Sequence, residues 1–319
     1  MSVLVPLVVL ALIGHQEWSI YAAFGAMTSL YGRTHVAISR LRMQGTLAVL
    51  LTLATAGGVV VGLSEHRAWW AVPLTAALAA GGSLLSDLQD WHPRGPLFLV
   101  FAFAACASLE SRPVDVVTAL VVAGLSAAFA VVVGAAGGRL RRDRRRGPVR
   151  APLVRTAYAA RWRWHVARSG LAVLLAGFVA TASGIGHPYW AMVSAVVPLG
   201  APAFLQQVVR GLHRVAGTLV GLGVTAALFA LDATGAVLIG VIVLLQVLAE
   251  LLVGRNYALA LVVITPLALL MVHLVAPVPA GVLLLDRGVE TLIGVAVGMV
   301  VGYLTRARPA VAVVHAQHP

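Results

Sequence analysis

Asp286, Arg287 and Glu290 stand together in DRGVETLIGVAVGMVVG, a segment otherwise apolar and rich in glycine. Asp286 and Glu290 are four residues apart and share a helix face, with Arg287 placed to neutralise one of them. Ionisable groups inside an apolar span are costly and by default mark ion or proton relays. Glu290 is therefore the first candidate for a proton-linked carboxylate, with Asp286 beside it; a structural ion pair is the competing reading. Arg42 and Arg214 recur in one setting, Arg-x-x-Gly-Thr, and Arg255 with Asn256 opens RNYALALVVITPLALL, which carries the Thr265-Pro266 kink. A guanidinium offers a carboxylate a fixed fork of donors, so Arg42, Arg214 and Arg255 are placed to draw organic anions, or else anchor helix ends at the membrane surface. His15 with Trp18 and His187 with Trp190 form two GHxxW motifs. They are either interfacial anchors or a titrating pair facing each other across an outer mouth. After Trp190, Pro198, Gly200 and Pro202 break the apolar run. Proline removes a ladder hydrogen bond, and interrupted helices at membrane depth survive only when buried in protein or facing a water-filled cavity. The first-half counterpart has Gly25 and Gly32 but no proline, and is expected to be less broken.

The elements that must hold these groups are membrane helices. Of 319 residues, 60% are hydrophobic and only 11% charged, with mean hydropathy +0.95, against about 25% charged in soluble domains. Dividing the chain at its polar breaks gives apolar segments at 2–14, 17–32, 44–63, 68–86, 96–110 and 115–138, then 166–185, 188–205, 213–231, 235–253, 256–275 and 281–304. Several approach the roughly 20 residues that cross a bilayer as a helix, and the alternating ten-residue segments of a barrel are absent. The fold class is all-α integral membrane, with about 12 transmembrane helices.

Shifting the chain by 172 positions aligns Gly14–Leu47 with Gly186–Leu219 without a gap, with nine identities that include the rare His, Trp and Arg. The chain reads as two six-helix repeats, 1–138 and 166–305, separated by an Arg-rich cytoplasmic linker over 139–165 and followed by a short tail, 306–319. Six helices per repeat make the repeats parallel. With the N-terminus inside, Arg33, Arg40, Arg42, Arg94, the linker cluster, Arg168, Arg210, Arg214, Arg255, Arg306 and Arg308 fall on the cytoplasmic side, and only Arg67, Arg112 and Arg287 on the other. All seven tryptophans lie near expected helix ends, as an interfacial belt would. By the same offset the helix starting at Val166 would begin before Met1; either the first helix is entered partway or its start lies upstream. Glycines four apart, Gly294, Gly298 and Gly302, Gly134 and Gly138, and Gly217 and Gly221, are read as close-packing positions.

All 23 basic residues are Arg, so lysine chemistry is excluded, and the formal charge of +12 is spread in short clusters between apolar runs. That pattern serves topology rather than nucleic acid. Cys106 is the only cysteine, inside an apolar run, so neither an intrachain disulfide nor a cysteine metal cluster is available. MSVLVPLVVLALIG lacks a charged n-region and a cleavage site and is taken as helix, not leader. With no nucleotide loop, zinc motif or nucleophile elbow, no cofactor, metal or enzyme activity is expected.

GHPYWAMVSAVVPLGAP, RGLHRVAGTLVGLGV, GRNYALALVVITPLALL and DRGVETLIGVAVGMVVG together resemble the fusaric acid resistance protein-like family of membrane transporters, which includes aromatic acid exporters. The resemblance covers about 186–304; the first half shares only GHQEW and RMQGTL. It implies export of small organic anions, aromatic carboxylates above all, across the bacterial cytoplasmic membrane, in a compact form without the cytoplasmic domains of larger members. A more distant likeness to dimerising six-helix plant anion channels makes the two halves look like a fused dimer. The expectation is thus a multi-pass inner-membrane exporter with both termini cytoplasmic, proton-coupled through Glu290, its partners the anion, the bilayer and, as an open possibility, further copies of itself. An uncoupled anion channel and a scaffold docking a partner through the linker are the alternatives.

Overall fold

A computed structural model of the chain describes residues 2–32, 37–140, 155–231, 235–253, 255–275 and 278–306. Its described residues form twelve α-helices: α1 (Leu4–Leu12), α2 (Ser19–Ala26), α3 (Ala37–Gly62), α4 (Arg67–Leu88), α5 (Leu97–Ser108), α6 (Pro113–Leu140), α7 (Arg155–Ala182), α8 (Tyr189–Leu199), α9 (Phe204–Ala230), α10 (Gly235–Leu252), α11 (Tyr257–Val275) and α12 (Ala280–Leu304). Each apolar segment read from the sequence overlaps one of them, and α3, α4, α6, α7, α9 and α12 begin before or end after it. By length and composition four are able to cross a membrane: Arg40–Gly62, Arg67–Leu88, Pro113–Gly137 and Phe204–Ala230. The region expected as a linker over 139–165 is narrower, because α6 continues to Leu140 and α7 already begins at Arg155; Arg33, Arg308 and the centre of the linker lie outside the described residues.

Four helices that look like spans by composition have twelve residues or fewer: α1, α2, α5 and α8. α8 has 11 residues, about 16 Å at 1.5 Å per residue, roughly half the hydrocarbon thickness. It stops where Pro198 has removed the N–H that would bond the Ser194 carbonyl, and the chain turns through Gly200–Ala203 into α9. All eleven α8 residues are buried, so its ends meet protein, as backbone at membrane depth requires. The first-half counterpart is no more continuous, contrary to the expectation drawn from its lack of proline. α2 has eight residues and tightens into a 3-10 turn over Met27–Leu30, after which Tyr31 is extended and Gly32 takes φ +70. A left-handed glycine ends the helical run as effectively as proline does.

The same helix pairs touch in both halves. α2 packs on α6 as α8 packs on α12, and α3 packs on α5 and α6 as α9 packs on α11 and α12. α4 lies along α7, and α10 touches α1. Gly14 (φ +78) and Gly184 (φ +73) turn the chain after α1 and α7. Gln44 on α3 donates to the Tyr31 carbonyl at 3.1 Å, and Gln207 on α9 donates to the Ala201 carbonyl at 2.9 Å. Each amide oxygen lies where a Cβ would project from a glycine of the sixth helix of its half, Gly134 and Gly302 respectively. The 172-residue alignment pairs Gln44 with Ala216, so this shared device is invisible to it.

Glycine decides the closest approaches. A Cβ on Gly294 or Gly298 would strike the Ala191 and Ala195 carbonyls, so α12 lies directly on the α8 backbone. Gly217 and Gly221 admit α11 to α9 in the same way, against Ala258 and Thr265. Without a hydrophobic drive between helices in lipid, such contacts and polar links hold the bundle. One core crosses the two halves, joining Phe24, Trp91 and Val100 to Trp190, Met192 and Leu283.

Candidate functional site

The charged side chains buried among the described residues are Arg214, Asp286, Arg287 and Glu290, and all of them surround α8. Glu290, fully buried, accepts the His187 backbone N–H at 3.0 Å, just ahead of the α8 N-terminus. A carboxylate there meets the unpaired amides and the positive end of the helix dipole. One turn earlier on α12, Asp286 contacts His187 Nδ1 at 3.0 Å. Gly186 has no side chain because a Cβ would crowd Asp286 Oδ2. The cationic end of this arrangement is at the other end of α8, where Arg168 donates to the Leu199 carbonyl at 3.3 Å.

Arg287 does not neutralise either carboxylate by direct bonding, as the sequence spacing anticipated. Its guanidinium carbon lies 3.7 Å from the centroid of the Trp190 ring, and its Nε and Nη1 have no hydrogen-bond partner. The helix places Arg287 and Glu290 on neighbouring positions, but His187 has taken the carboxylates and the indole has taken the cation. Arg214 was expected at the cytoplasmic start of its helix; it lies well inside α9, 5% exposed, with Nε and Nη2 both 3.2 Å from Ser194 Oγ. Its sequence counterpart Arg42 is exposed on α3. The two arginines therefore share a motif and not an environment.

The other sequence-derived residues divide similarly. Arg255 is exposed at the α10–α11 turn, and Asn256 caps α11 by accepting the Leu259 N–H at 3.2 Å, an ordinary N-cap. Thr265 is completely buried with Oγ1 unpartnered, next to Gly221 and followed by Pro266 within α11. Pro198 is buried in α8, whereas Pro202 is exposed. His15 stacks on Trp18 at 3.8 Å and contacts Glu17 at 2.9 Å, a hydrogen bond that holds the Glu17 carboxyl below its usual range. His187 is instead drawn inward, so the two histidines have different partners and do not form a matched mouth. Trp91 and Trp190 are 0% and 2% exposed and leave the expected interfacial belt for the core, while Trp69 and Trp70 remain exposed.

Two residues were passed over in the sequence. Ser194 is an ordinary small polar residue until α8 and α9 bring it to Arg214. Tyr189 is buried between His187 and Trp190, with ring centroids 6.0 Å and 4.4 Å away. It also lines a cavity of about 270 Å³ with Glu65, Arg67, Ser108, Gly186 and Met192, which opens beside the α8 N-terminus. A second cavity, about 310 Å³ between α1, α2, α10 and α11, has no ionisable side chain in its lining.

Residues 175–301 match the fusaric acid resistance protein-like family, a family of membrane transporters. The matched segment takes in α8 to α11 and most of α12, and thus all four charges buried among the described residues. The chain is also similar to the uncharacterized membrane protein YvaC of Bacillus subtilis, with 32% identity over 136 residues. That alignment takes in 42% of this chain and spans about a fifth, 21%, of the relative's length. No solved structure matches. Family match and apolar helices together support a multi-pass membrane protein.

Proposed function

We propose that the chain exports small organic anions, aromatic carboxylates foremost, across the bacterial inner membrane, with both termini cytoplasmic and about 12 spans arranged as two parallel repeats. The observation that carries this reading is that the residues matching a transporter family contain every buried charge among the described residues. Polar groups at such depth are retained where they serve passage of a solute or proton. The recurring helix pairings and the paired Gln44 and Gln207 devices support the two-repeat frame. Arg255 and Arg42, both exposed, gather anions at the cytoplasmic face; Arg214 and Thr265 line the path; Glu290 couples it to protons.

The test is retention of labelled aromatic acids by a bacterium stripped of its own aromatic acid exporters and expressing this chain. Faster loss of at least one acid, weakened by Arg255→Ala, is the expected result. Unchanged retention across the panel, with the protein present in the membrane, would remove the export reading.

A further inference from the structure

Arg287 is 1% exposed, and two of its donors, Nε and Nη1, have no acceptor. A buried guanidinium costs several kcal/mol to desolvate unless its donors are met, and the Trp190 face satisfies charge but not hydrogen bonds. Arg214 stands close by. It binds Ser194 while Arg287 covers Trp190, and these two α8 residues are four apart, hence on one helix face with Cβ atoms about 5–6 Å apart. Both guanidinium groups are thus held over one face of α8, where like charges repel. The nearby carboxylates do not resolve this, because Asp286 and one oxygen of Glu290 are engaged by His187. Hydroxyl donors also go unused around the pair: Thr218 Oγ1, one turn beyond Arg214 on α9, and Tyr257 at the start of α11.

We infer that Arg287 and Arg214 form a paired seat for one monovalent carboxylate on the mid-face of α8, with Arg287 as the principal ligand. The carboxylate meets the Nε edge of Arg287, where Nε and Nη2 point the same way, the side-on geometry in which guanidinium binds carboxylates, and relieves the repulsion between the two arginines. The seat is absent from the first half. There Arg42, the counterpart of Arg214, is exposed, and no charged side chain of α6 is buried among the described residues. The choice of a carboxylate probe rests on the organic-anion reading above; the seat itself rests on the unmet donors.

The experiment measures thermal unfolding of the purified full chain in detergent, at fixed ionic strength, with benzoate or with benzamide, its neutral counterpart of similar shape. Benzoate is expected to raise the midpoint saturably and benzamide to leave it unchanged. Arg287→Gln should weaken the benzoate response about tenfold or more, and Arg287→Lys, which keeps charge but loses the fork, should recover part of it. If Arg287→Gln does not fold, Arg214→Gln should show the same direction of loss. An undiminished response in the folded Gln variants, an equal response to benzamide, or no response in the wild type overturns the seat. Benzoate binding that depends on Arg287 in a chain that moves no acid in cells would sink the export reading and leave the seat standing.

Discussion

A buried carboxylate with one oxygen held and the other unpartnered is poised to take up a proton without losing its anchor. Glu290 is in that condition, with Oε1 accepting the His187 N–H and Oε2 without a partner. Glu290→Gln keeps an acceptor for that N–H and fixes the side chain in a neutral state. It should leave the protein in the membrane but make export independent of the pH gradient, measured as acid loss with and without a protonophore; retained dependence removes Glu290 from coupling. Trp190 offers a second test at this scale. Exchange to Leu removes the ring beneath Arg287 and should lower stability by about 2 kcal/mol, the upper end for a desolvated cation on an aromatic face, read as a drop in unfolding midpoint. Trp190→Phe should fall less. Which residues would form the site was only half legible in the sequence. Asp286 and Glu290 stand out because charges are rare in this chain, but Glu290 is held by the backbone amide of His187, while Asp286 meets the ring of the same residue, and no side-chain pattern announces a backbone donor. The Arg-x-x-Gly-Thr repeat promised equivalence between Arg42 and Arg214, and neighbouring helices decided otherwise: α8 covers Arg214, whereas Arg42 remains exposed.

At the level of helices, the order of twelve was legible because Gly, Pro and Arg interrupt apolar runs at each turn. The lengths of α2 and α8 were not, since a helix buried in protein and one facing lipid have the same apolar composition. Pro198 and Pro202 hinted at the end of α8; nothing comparable marks the end of α2, which depends on the left-handed Gly32. The role of the four-spaced glycines was legible and can be tested by position. Gly294→Val would drive its side chain into the Ala191 carbonyl, and should cost about 1–3 kcal/mol through overpacking, with α12 forced off α8. Gly281→Ala on the same helix has nothing within 4 Å of the added Cβ, and should hold or raise stability by up to about 1 kcal/mol through helix propensity. Unfolding midpoints that move alike in the two variants would contradict a packing role for Gly294. Gly134→Val and Gly302→Val crowd Gln44 and Gln207 in corresponding places, and should destabilise by similar amounts if the two halves are built on one plan.

Over the whole molecule, helix pairings recur while the interior does not. Helix pairs recur from one half to the other, yet among the described residues the buried charges occur around α8 alone, and α6 buries none. Asp115 accepts the Arg112 N–H at 2.7 Å at the outset of α6 and takes no part in an interior cluster. A frame of this kind gives each half the same sense of insertion, and sidedness follows from it. The turn before α6 and the turn between α8 and α9 must lie on opposite faces, the first outside and the second cytoplasmic if the arginine distribution sets orientation. Cys106, buried and the only cysteine, can be exchanged for Ala to give a background without thiols. In that background Glu110→Cys, at a site 85% exposed, should react with an impermeant maleimide on intact spheroplasts, and Pro202→Cys, also exposed, only after lysis. The reverse pattern would invert the membrane orientation while keeping the frame. Reaction of both from outside would mean that α6, α7 and α8 together do not carry the chain to the other face, and the two-repeat arrangement of spans would have to be abandoned.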